Sequence, residues 1–72
     1  MRGREIKRRL EDNELTQKWL MKQLHQREFP IDYTRLSHVL NEQVTGGKVE
    51  ETLSMSADII ADYEKRFLGA SA

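Results

Sequence analysis

The chain has 72 residues, twelve basic and twelve acidic side chains, no cysteine and a formal net charge of zero. That is one domain, near the size at which a single hydrophobic core is only marginally sufficient for stability. The lack of cysteine excludes a disulfide framework, a thiolate metal site and a cysteine nucleophile, and the apolar runs are too short for a membrane span or a signal-peptide core. A soluble, cytoplasmic protein is expected. Neutrality by itself does not favour a nucleic-acid partner, because phosphate binding usually leaves a basic excess. The charges are unevenly placed, however. Residues 1–36 hold nine Lys or Arg against six Asp or Glu, a balance of +3, and residues 37–72 hold three against six, a balance of −3.

Strand-like alternation is absent, so an all-α fold of four or five short helices in a compact bundle is predicted. Residues 3–12 place Ile6 and Leu10 on one face, with Arg2, Arg4, Lys7, Arg8 and Arg9 on the others, the signature of a short amphipathic helix. Thr16 suits a helix N-cap, and the second helix is expected over 17–26 with Leu20, Met21 and Leu24 inward. Pro30 disfavours the helical conformation at Phe29, which ends that helix beforehand. Asp32 is the next N-cap, and a third helix is expected over 33–42, burying Leu36, Val39 and Leu40. After Gly46-Gly47, the residues Val49, Leu53, Ser56, Ile60, Tyr63 and Phe67 recur at intervals of four, three, four, three and four. They predict a helix over 49–67, either continuous or broken near Ser54 to Ser56. The domain then spans 1–68, with a flexible tail over 69–72.

A helix, a connection and a short second helix with a polar outward face are what a helix-turn-helix unit requires, in which the second helix lies in the major groove of DNA. The stretch Leu15-Thr16-Gln17, Leu20, Leu24, Ile31, Thr34, Leu36-Ser37 and Val39-Leu40-Asn41 resembles the phage repressor and Cro type of helix-turn-helix, the XRE family. The resemblance runs over roughly residues 3–60 and implies a lambda-repressor-like fold. It departs from the pattern in two places: Met21 replaces a small residue, and "HQREFP" lengthens the turn by about five residues, which costs little closure entropy.

On that resemblance Gln17 contacts a phosphate and steadies the start of the recognition helix, and Tyr33, Thr34, Arg35 and His38 form the exposed face. Their chemistry suits base edges: a guanidinium forks onto guanine, and hydroxyl and imidazole groups bond bases or phosphates. Asn41, Gln43 and Lys48, with Arg4 and Arg8 of the first helix, are candidates for backbone contacts, aided by the positive ends of the helices starting at Gln17 and Tyr33. Plainer roles compete for each residue. Arg35 can pair with Asp32, Gln17 can merely cap its helix, Tyr33 can cover the turn, and His38 can be an ordinary surface histidine. Neither histidine has acidic neighbours at ligand spacing, so no metal site and no cofactor are expected. Trp19 either packs against Phe29 and the enlarged turn or offers an exposed aromatic to a partner.

The carboxyl-terminal stripe exceeds what so small a core requires, so Ile59, Ile60, Tyr63 and Phe67 are candidate homodimer contacts. Two copies spaced one turn of DNA apart would read a near-palindromic site with combined affinity. Ser37, Ser54 and Ser56 lack a glycine-flanked elbow or a base, and Gly46-Gly47 forms no phosphate loop, so an enzyme is not expected. The sequence therefore predicts specific double-stranded DNA binding and transcriptional regulation by operator occupancy, in a bacterial or phage setting on the resemblance alone. The alternative is a helix-turn-helix scaffold used as a protein-interaction adaptor or inhibitor.

Overall fold

Two of the helix starts follow from side chains that accept first-turn amides. The Thr16 hydroxyl accepts from the Trp19 N–H at 3.0 Å, and the Asp32 carboxylate accepts from the Arg35 N–H at 2.6 Å, each relieving an amide that has no partner within its helix. The computed structural model describes residues 2–66. It contains α1 (Gly3–Asp12), α2 (Gln17–Gln26), α3 (Tyr33–Leu40) and α4 (Gly47–Glu64), with no strand among the described residues. The protein is an all-α, four-helix bundle.

The first three helices end in the same way. Past the C-caps Asn13, Arg27 and Asn41, the chain turns left-handed at Glu14, Glu28 and Glu42, with φ of 57°, 61° and 58°. Beyond each glutamate the next amide reaches back across the last turn: Leu15 N–H to Leu10 O at 2.7 Å, Phe29 N–H to Leu24 O at 2.9 Å, and Gln43 N–H to His38 O at 2.9 Å. The glutamate's own amide bonds Glu11, His25 or Val39. These are Schellman motifs, which usually place glycine at the left-handed position. Here glutamate holds it three times, so no glycine marks these helix ends in the sequence. That explains why α3 stops at Leu40, short of the predicted 42.

α4 begins at Gly47, two residues before the predicted start, because Gly46 at φ 134° supplies a backbone that other residues rarely adopt. It runs unbroken through Ser54 to Ser56. It packs against all three other helices, and α3 also meets α1 and α2. The core joins Ile6 and Leu10 of α1, Leu20 and Leu24 of α2, Leu36, Val39 and Leu40 of α3, and Val49, Leu53, Ile59 and Ile60 of α4. Each such side chain contributes about 1.5–3 kcal/mol on burial.

Two expectations change here. Ile59 and Ile60, predicted to form a dimer face, are 3% and 0% exposed. Adjacent residues on α4 fill the core because this helix is covered by neighbours over a wide arc, so Ile59 and Ile60 serve the monomer. Tyr63 is half-buried, its ring edge-on to Trp19 with centroids 5.5 Å apart at 75°. Trp19 thus meets α4, an arrangement aromatic pairs favour. Phe67 lies outside the described residues.

α1 closes against both neighbours. A Cβ at Gly3 would overlap the Val39 carbonyl oxygen and lie 2.7 Å from that of Leu40, so only glycine allows this approach to the end of α3. At its other end, Arg9 Nη2 and Asn13 Nδ2 donate to the two Glu64 carboxylate oxygens at 2.6 and 2.9 Å, tying α1 to the end of α4.

Candidate nucleic-acid interface

The turn between α2 and α3 is braced by its own residues. The Glu28 cap directs the chain back over α2, the Phe29 amide bonds Leu24, and His25 Nε2 lies 2.7 Å from the Ile31 carbonyl. A carbonyl only accepts, so the His25 Nε2 carries the proton. Phe29 and Ile31 pack on the core, and Asp32 then caps α3. The part His25 plays in the turn carries no sequence signal beyond a polar residue near the end of a helix.

The start of α3 is joined to the start of α2. Gln17 Nε2 donates to the Tyr33 carbonyl at 3.2 Å, which brings the N-termini of both helices to one surface. Both ends carry unpaired amides and a partial positive charge there.

Successive α-helical residues turn by about 100°. With Leu36, Val39 and Leu40 inward, Thr34 and His38 stand opposite the core, both exposed. Tyr33, 51% exposed, and Arg35 flank them on either side. Asp32 engages the Arg35 backbone amide and makes no ion pair with its guanidinium among the described residues. The Arg35 side chain instead borders a cavity shared with Lys48 of α4.

The remaining candidates divide. Asn41, half-buried at the end of α3, donates to the Ser37 carbonyl at 2.9 Å and accepts from Lys7 Nζ at 3.0 Å. Its amide is therefore engaged inside the protein. Arg4 Nε lies 3.2 Å from a Glu42 carboxylate oxygen, an exposed pair of small energetic weight. Gln43, Lys48 and Arg8 are exposed. The structure thus gathers Gln17, Tyr33, Thr34, Arg35 and His38 around the start and outer face of α3, whereas Arg4 lies at its far end, where Lys7 also reaches. Lys7 was read only as part of the polar face of the first helix and not as a candidate contact, although it shares a face with Arg4 one turn along α1.

Charge follows the same division. The outward side of α4 carries Glu50, Glu51, Asp58 and Asp62, all exposed, whereas Lys18 and Lys22 are exposed on α2. Glu64 is held below the usual carboxylate range by the Arg9 and Asn13 hydrogen bonds. Among the described residues no three His, Asp or Glu side chains gather to hold a metal ion, and no helix is long and apolar enough to cross a membrane. No family model, curated protein or solved structure matches this chain.

Proposed function

We propose that the protein binds double-stranded DNA in a sequence-specific manner, with α3 in the major groove and α2 braced on the phosphate backbone, and that it regulates transcription by occupying an operator. The observation that carries this reading is the Gln17–Tyr33 hydrogen bond. A helix-turn-helix requires both helix N-termini at one surface, the first against phosphate and the second entering the groove. The outer face beyond that bond offers a hydroxyl, an imidazole, a phenol and a guanidinium, groups that match base edges. The basic amino half supports the same surface. A near-palindromic operator engaging two copies would supply the affinity that one short helix on a neutral domain lacks.

The test begins with selection of bound sequences from random duplex DNA, followed by anisotropy titration of the enriched duplex. Thr34→Ala and Arg35→Ala each weaken specific binding by about 1–3 kcal/mol. Both positions are exposed, so circular dichroism should show the fold unchanged. A double variant that binds as well as the parent refutes the reading. The acidic outward side of α4 favours the adaptor reading instead, and salt separates the two. DNA affinity falls steeply with rising salt through counterion release, and failure to enrich any motif, with a protein recovered by pull-down, selects the adaptor.

A further inference from the structure

The turn between α2 and α3 lines a cavity. Between residues 29–32, α3 and the first turns of α4 lies a space of about 630 Å³, within the roughly 300–1,000 Å³ of small-ligand pockets. Its apolar lining comes from Phe29 and Ile31, which the turn folds inward, and from Val39. Arg35 and Lys48 border it as cations, Glu51 and Asp32 as carboxylates.

Three of those four charges have no ion-pair partner among the described residues. Arg4, Arg9, Arg27 and Arg66 each meet a carboxylate, whereas among the described residues Arg35, Lys48 and Glu51 form no ion pair. Asp32 has one oxygen on the Arg35 amide. Charges of both signs around an apolar floor complement a ligand that carries both signs and an apolar body. A ligand with one charge would satisfy half of the border and oppose the rest.

We propose that this cavity binds a free α-amino acid with an apolar side chain. Its carboxylate lies on Arg35 and Lys48, its ammonium on Glu51, and its side chain over Phe29, Ile31 and Val39. Charge-assisted bonds of this kind are short and directional, and the guanidinium fork matches a carboxylate. The regulatory consequence rests on the DNA reading above: an Arg35 guanidinium engaged in the cavity is withdrawn from the groove, so the amino acid weakens DNA binding. Linkage makes the effect reciprocal, and DNA must weaken the amino acid equally.

The experiment is an NMR titration of the ¹⁵N-labelled full chain with L-leucine, L-phenylalanine and L-tryptophan. At least one produces saturable shifts at Ile31, Arg35, Lys48 and Glu51. Lys48→Ala and Glu51→Ala, at exposed positions, each weaken binding by about tenfold. N-acetyl-L-phenylalanine, which lacks the ammonium, and phenethylamine, which lacks the carboxylate, bind L-phenylalanine's site at least about tenfold more weakly than the parent compound. Absence of saturable shifts from all three amino acids at about 10 mM overturns the proposal. So does equal binding of the two charge-deleted probes, or indifference to both variants. With the selected duplex, a saturating amino acid lowers DNA affinity by about tenfold; unchanged affinity overturns the coupling. Saturable binding in a chain that selects no duplex supports the cavity and refutes the DNA reading alone.

Discussion

Replacing the left-handed glutamates by glycine should stabilise the protein, and the three sites should respond unequally. Glu14, Glu28 and Glu42 have φ between 57° and 61°, where an L side chain costs about 1–2 kcal/mol. Glycine removes that cost but gives the unfolded chain more freedom, an offset of about 0.5–1 kcal/mol. The net gain for Glu14→Gly and for Glu28→Gly is therefore about 0.5–1 kcal/mol each. The Glu42→Gly gain is smaller, because it also removes the ion pair with Arg4 at 3.2 Å, worth a few tenths of a kcal/mol at so exposed a site. Glu14 and Glu28 lie on separate turns, so their effects add, and the double variant gains about 1–2 kcal/mol. In a domain of this size each kcal/mol raises Tm by about 4–8 °C. Urea denaturation and a thermal melt read the effect. Alanine at the same positions is the control, since it keeps the strained backbone and gains nothing. Equal Tm for Glu28→Gly and Glu28→Ala would refute the reasoning, as would an unchanged Tm in the double variant.

Gly3→Ala drives a methyl into the carbonyls of Val39 and Leu40, and because both are backbone atoms the loss is about 1–3 kcal/mol by urea denaturation. Ser56 is fully buried on α4, and its hydroxyl has no hydrogen-bond partner among the described residues, so Ser56→Ala raises stability by about 1 kcal/mol in the same assay. Glu64 titrates below its ordinary value of 4.5 in the folded protein because Arg9 and Asn13 hold the charged form. Its contribution is present above pH 4.5 and lost as pH falls through the lowered folded value. Glu64→Gln therefore lowers stability by up to about 1 kcal/mol at neutral pH, and little in strong acid; denaturation midpoints measured from pH 7 to pH 2 check the convergence.

The spans of α1 and α2 were legible in the sequence. The Thr16 cap and the Ile6–Leu10 face set the starts and inward sides of α1 and α2, and both run over the residues expected. The inward leucines of α3 were equally plain, since Leu36, Val39 and Leu40 leave no other face to bury. Helix ends were less visible, because glutamate in a left-handed turn carries no compositional mark. Burial on α4 misled for a different reason. A stripe reads as one line of contacts, but a helix covered by three others buries a wide arc, and Ile59 with Thr52 filled what the stripe left out. At the candidate site, residue types pointed to the outer face of α3. They could not show that the Asn41 amide would be tied to Ser37 and Lys7, or that Arg35 would border a cavity with Lys48. The Lys7 bond and the shared cavity depend on how distant helices approach.

α3 is supported at both ends, at its start by Gln17 and Asp32 and at its finish by Lys7 and the close approach of Gly3. A helix of eight residues is marginal alone in water, so these supports are what keep its backbone ordered before anything meets it. An incoming partner then orders only side chains, at about 0.5–1.5 kcal/mol for each one immobilised. For a surface of four or five side chains, that difference separates a transient encounter from a lasting one.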